Sequence, residues 1–168
     1  NRSAGEGLLL IGDDNKVFGG DYSDCGNGSG IQASGDRNLY DGVTLKNNAG
    51  SSISVQGDNA KVTNNSIIGG GFPGTNAINM GHSGDPVTNS VVSGNTIKNW
   101  TGYNGIRCNS SSLDVIISSN IIEGNTSALG AGISVGDGSE EVTIDSNRVK
   151  DGAGAGIAAG NKGTTINN

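Results

Sequence analysis

In 168 residues the chain carries 31 glycines, with only 4% aromatic and 32% hydrophobic side chains, which is too little apolar bulk for the single layered core of a sandwich or helical bundle. Its net charge of -6, with the ten Lys and Arg dispersed along it, argues against nucleic acid, whose phosphates need clustered cations. No window of about 18 apolar residues exists to insert in a membrane, and Leu8 to Ile11 is too short for the apolar core of a signal peptide.

Seven short strands recur in chain order, each led by Gly or a small residue. They are Gly7-Leu8-Leu9-Leu10, Gly30-Ile31-Gln32-Ala33, Ser52-Ile53-Ser54-Val55, Ala77-Ile78-Asn79-Met80, Gly105-Ile106-Arg107-Cys108, Gly132-Ile133-Ser134-Val135 and Gly156-Ile157-Ala158-Ala159, at intervals of 22 to 28 residues. Apolar and polar positions alternate, as on a strand with one face buried. One supersecondary unit copied at such a period predicts a solenoid, in which each coil buries a few inward side chains on like side chains above and below.

Between these copies lies a second recurrence: an apolar residue, then Asn or Gly three positions on, then another apolar residue. Val62, Asn65, Ile67 set the pattern, followed by Val92, Asn95, Ile97, by Ile117, Asn120, Ile122 and by Ile144, Asn147, Val149. The earlier coils keep it less strictly, as Val17, Gly20, Tyr22 and Leu39, Gly42, Thr44. Asn and Gly tolerate the left-handed backbone of a tight corner, and an Asn side chain there can bond the backbone of an adjoining coil.

Together these repeats resemble the right-handed parallel β-helix of the pectate-lyase-like superfamily with its interior asparagine ladder. The resemblance covers nearly the whole chain and implies an all-β solenoid of about six coils. In the family's order the Ile-led strand forms the first sheet, the Val-led strand the second, and the strand after the corner Asn the third. A Gly-Asp first turn, the Asn corner and a variable third turn connect them. The chain reads as one domain over residues 1–168 with no linker. Neither end supplies a covering helix, so a fragment of a longer chain or a subunit with partner-covered ends is expected.

Such a fold carries lyases, galacturonases, epimerases, phage tailspikes and adhesins alike, so function must come from side chains. The outward residues of the first sheet, among them Gln32, Ser54, Asn79, Arg107 and Asn109, are mostly short amides and hydroxyls suited to sugar hydroxyls. Around the third and fourth coils they meet the chain's only Trp and His: Trp100 and Tyr103 in a third-turn loop, Asn79 and Arg107 on adjacent strands, and His82 and Asp85 in the adjoining first turn. Aromatic rings offer flat apolar faces to a sugar, while Arg and Asn fix its polar edges. These six residues form the expected substrate-binding site, Phe72 standing in the neighbouring third-turn loop.

Gly-Asp recurs at Asp13, Asp36, Asp58, Asp85 and Asp137. Stacked about 5 Å apart, such carboxylates match the pair of a retaining glycosidase and can also hold Ca2+, but Asp after Gly is first of all a turn residue. We expect no resident metal or cofactor. The epimerase Asp-Pro-His-Glu stretch is absent, since Asp85-Pro86 continues into Val87. Asp13-Asp14 and Gly81-His82 lie three coils apart, roughly 14 Å, too far to act on one bond. The same separation keeps Cys25 and Cys108 from a disulfide, leaving two free thiols with Cys108 in the core. Gly69, Gly71 and Gly74 satisfy a dinucleotide-loop spacing, but Pro73 and the lack of a following helix discount it. The leading expectation is a carbohydrate-recognising segment of a phage tailspike or similar virion appendage, extracellular, binding a cell-surface glycan and forming a homotrimer. A polysaccharide lyase, hydrolase or epimerase and a structural adhesin are the alternatives.

Overall fold

The computed structural model describes residues 5–82, 84–159 and 163–168. Among them every regular element is a strand, and the strands stack in three parallel sheets. The first sheet stacks Leu8–Ile11, Ile31–Ser34, Ile53–Gln56, Ile78–Met80, Ile106–Cys108, Ala131–Val135 and Ala155–Ala159; the second runs from Lys16–Phe18 to Thr164–Asn167; the third from Thr44–Lys46 to Arg148–Lys150. Each strand pairs with its counterpart one coil away, never with its sequence neighbour, so the chain winds as a parallel β-helix.

Register explains why the strands are led by small residues. Ile31, Ile53, Ile78, Ile106, Ile133 and Ile157 pair in one continuous column. The first five of them are fully buried, each burial stabilising by about 1.5 to 3 kcal/mol. One position earlier the backbone of the next coil passes so close that a Cβ on Gly105 would lie 2.6 Å from the carbonyl oxygen of Gly132.

The asparagine ladder is present. The backbone N–H of Asn65 donates to Oδ1 of Asn95, that of Asn95 to Oδ1 of Asn120, and that of Asn120 to Oδ1 of Asn147, each at 3.0 Å. The side-chain amides repeat the same links at 2.9 Å. Asn168 extends the row by accepting from the N–H of Asn147.

Two details of the corner differ from expectation. The left-handed residue is the one before the ladder: Asn64, Ser119 and Ser146 have φ of 55°, 56° and 52°, and Gly94 has φ of 66°. The ladder residue itself only faces inward. In the second coil, Leu39, Gly42 and Thr44 are one position out of register. Tyr40 pairs with Val62 and Leu45 with Ile67, so the inward set is Tyr40, Val43 and Leu45, all fully buried. Leu39 and Val43 are both apolar, which leaves the alternation ambiguous there.

Both thiols are free, and both are buried. Cys108 lies in the inward column beside Met80 and Val135. Cys25, although between strands, also faces the interior, its N–H donating to Oδ1 of Asn48 at 3.1 Å. Burial pushes both thiols above their ordinary value, as desolvation disfavours a thiolate.

Candidate functional site

A groove of about 520 Å³ runs over the outer face of the first sheet. Its floor is Ser54, Asn79, Arg107 and Asn109; His82 lines it from the first turn, and Thr75 and Tyr103 from the third-turn loops. The strands place the floor directly. Asn79 pairs with Arg107 and, on its other side, with Ser54, so three outward side chains lie on successive rungs about 4.8 Å apart.

Hydrogen bonds lock the floor amides. Asn76 Nδ2 donates to Asn79 Oδ1 at 2.9 Å, and Asn109 Nδ2 donates to the same oxygen at 3.2 Å. Asn79 and Asn109 both donate to the carbonyl of Gly81 at 2.7 Å. Arg107 donates through Nε to Asn109 Oδ1 at 3.0 Å, which fixes the guanidinium plane. Among the described residues its two terminal nitrogens have no partner and no carboxylate lines the groove. Arg107 is half-buried, so an uncommitted cation stands on a pre-ordered polar floor, where a planar guanidinium matches a carboxylate.

Of the six expected residues, Asn79, Arg107, His82 and Tyr103 therefore come together. Trp100 does not. It is 0% exposed and belongs to the core, so it offers no face to a ligand. Two glycines make room for it: a Cβ on Gly71 would lie 2.6 Å from indole Cζ2, and one on Gly102 would lie 2.6 Å from Nε1. The indole N–H donates to the carbonyl of Thr75 at 3.4 Å, so Trp100 anchors the loops that carry Thr75 and Tyr103.

Asp85 is also set apart. His82 and Asp85 exchange backbone hydrogen bonds at 2.9 Å in each direction, forming a small hairpin that leaves Asp85 exposed and out of the groove lining. This hairpin also removes Asp85 from the Gly-Asp column, where Thr88 takes the place: Thr88 N–H donates to Asp58 Oδ1 at 2.7 Å. Higher in the column, Asp13 accepts from the N–H of Asp36, and Asp36 from that of Asp58, both at 2.9 Å. These carboxylates act as turn residues that tie one coil to the next. Among the described residues no group of three or more His, Cys, Asp or Glu is arranged to hold a metal ion.

Asn76 and Asn109 belong to the site and were not in the expected set. Asn109 is expected on the outward face of the first sheet, two residues after Arg107, but not among the six. Asn76 had no such signal, because its side chain reaches the floor from a loop.

No curated protein and no solved structure matches the chain. A family model described as a right-handed β-helix region matches residues 6–168. With the parallel three-sheet coils and the buried asparagine row, this shows that the chain belongs to the right-handed β-helix family.

Proposed function

We propose that the first-sheet groove binds an acidic saccharide. The observation that carries this reading is Arg107, a half-buried guanidinium held by Asn109, its terminal nitrogens open to a groove that no carboxylate lines among the described residues. A uronate carboxylate would pair with it, Asn79 and Ser54 would meet ring hydroxyls, and Tyr103 would supply the apolar wall. The setting in which such a site is used is a glycan-recognising virion appendage of the tailspike kind, extracellular and trimeric.

The test is calorimetric titration with oligogalacturonate and with a neutral oligosaccharide of equal length. Arg107→Ala should weaken the charged ligand at least tenfold and leave the neutral one unchanged, while Tyr103→Ala should weaken both. Equal affinity of wild type and Arg107→Ala for the uronate would overturn the reading. Sedimentation equilibrium reads the oligomeric state, and a monomer at micromolar concentration would remove the trimeric part.

A second reading rests on His82, whose imidazole lines the same groove. A base beside a guanidinium that neutralises a uronate carboxylate is the set needed for β-elimination, in which the proton α to the carboxylate is removed and the glycosidic oxygen leaves. Ultraviolet absorbance of the unsaturated uronide, lost in His82→Ala, would support it. No absorbance change over a day would leave binding alone.

A further inference from the structure

A second cavity, of about 430 Å³, lies on the far side of the same third-turn loops. Gly70, Gly71 and Phe72 line it, whereas Gly74, Thr75 and Asn76 of the same segment line the first-sheet groove. Thr101 and Tyr103 divide in the same way. One ridge thus separates two concave surfaces, and Trp100 is its buried anchor.

The geometry points to a second saccharide subsite in this cavity, one that takes a neutral pyranose ring. Phe72 is 54% exposed, yet its backbone is fixed. Its N–H donates to the carbonyl of Ala49 at 2.7 Å, and its carbonyl accepts from the N–H of Thr75 at 3.1 Å and the hydroxyl of Thr75 at 2.8 Å. The hydroxyl of Thr101 ties the preceding Gly70 and Gly71 carbonyls at 2.7 and 3.0 Å. An aromatic ring is therefore held out in water on a rigid support, so stacking a sugar on it requires little ordering.

Polar groups beside the ring complete the site. Asp24 and Asn47 line the cavity, both exposed. Asn47 Nδ2 donates to Asp24 Oδ1 at 3.3 Å, leaving Asp24 Oδ2 free of any partner among the described residues. The free carboxylate oxygen can accept from one hydroxyl of a vicinal pair while the second N–H of the amide beside it donates to the other. Among the described residues no Lys or Arg lines this cavity, so a carboxylated sugar would meet Asp24 uncompensated, and the subsite selects a neutral unit. The two linings are separated by no more than the segment Phe72 to Thr75, roughly 10 Å at full extension, so adjacent units of one polysaccharide can occupy both. This extends the saccharide reading of the groove but is tested without it.

The experiment records amide spectra of the isotopically labelled chain while methyl glycosides of glucose, galactose, mannose and N-acetylglucosamine are titrated separately. At least one should shift the backbone amides of Gly71 and Phe72 and the side-chain amide of Asn47. Phe72→Ala and Phe72→Leu, at an exposed position that leaves folding intact, should each weaken that binding at least tenfold, and Arg107→Ala should leave it unchanged. Absence of shifts with all four glycosides up to their solubility, or shifts that persist in both Phe72 variants, would overturn the proposal. Galacturonate titrated into the same sample reads the Arg107 groove independently, so failure of one site is distinguishable from failure of the other.

Discussion

Replacing Asn95 by Leu tests the worth of the ladder, because Leu keeps the same number and branching of side-chain heavy atoms while removing the amide. Asn95 is 0% exposed, and its side chain makes bonds in both directions. Nδ2 donates to the carbonyl of Val62 and to Oδ1 of Asn120, both at 2.9 Å. Its Oδ1 accepts from the N–H of Asn65 at 3.0 Å and from Asn65 Nδ2 at 2.9 Å. Leu would orphan the N–H of Asn65, a backbone donor that water does not reach, and would take one bond from the carbonyl of Val62, which stays within the paired strands of the second sheet. The expected loss is that of one buried unsatisfied group, about 1 to 3 kcal/mol. Asn147→Leu serves as the control. Asn147 makes matching bonds but is only half-buried, so water can replace part of what is lost and the cost should be smaller. Urea unfolding followed by circular dichroism reads the total, and native-state hydrogen exchange reads whether the loss is local to the third and fourth coils, as nearest-neighbour coupling in a solenoid requires. A loss below about 1 kcal/mol for Asn95→Leu, or equal losses at the two sites, would refute the satisfaction argument.

Acid should weaken the fold through Asp14 and Asp41. Asp14 lies below its ordinary value of 3.8 chiefly through the hydrogen bond from Arg37, and Asp41 through bonds from Thr63 and Asn64. A carboxyl more acidic in the folded chain adds stability that is full above 3.8 and is lost as pH falls through the folded value. The Asp14→Asn, Asp41→Asn double variant should show a flatter fall of unfolding midpoint below that pH, and an unchanged slope would count against both carboxyls. Tyr40→Phe tests the interior differently. The Tyr40 hydroxyl is buried near Asn38 without a satisfactory hydrogen bond, and burial pushes its ionisation well up, so removing it should be neutral or stabilise by up to about 1 kcal/mol. A destabilisation beyond about 1 kcal/mol in thermal or urea unfolding would show that the hydroxyl is paired in solution.

What could be read from the chain divides along the range of the forces involved. The Ile column and the ladder from Asn65 to Asn147 repeat at nearly fixed spacing, so each coil confirms the next. The floor pair Asn79 and Arg107 followed from the same register. Trp100 did not, because its burial depends on Gly71, in the preceding third-turn loop, leaving space for the indole. Asp85 was misplaced for a related reason: the hairpin closed by His82 and Asp85 is an insertion that shifts the Gly-Asp count without changing the strands on either side. Left-handed backbone was assigned to the ladder asparagines when it belongs one residue earlier, since Asn65 and its neighbour Asn64 carry the same side chain and only the inward direction tells them apart.

Bonds of the ladder join residues 30 apart between Asn65 and Asn95, 25 apart between Asn95 and Asn120, and 27 apart between Asn120 and Asn147, while their lengths stay at 3.0 Å. Differences in coil length are absorbed wholly in the turns. The ladder therefore acts as a fixed pitch against which turns can be lengthened or exchanged one at a time, and segments grafted at Gly74 or at the His82 hairpin would alter a recognition surface without retuning the coils that display it.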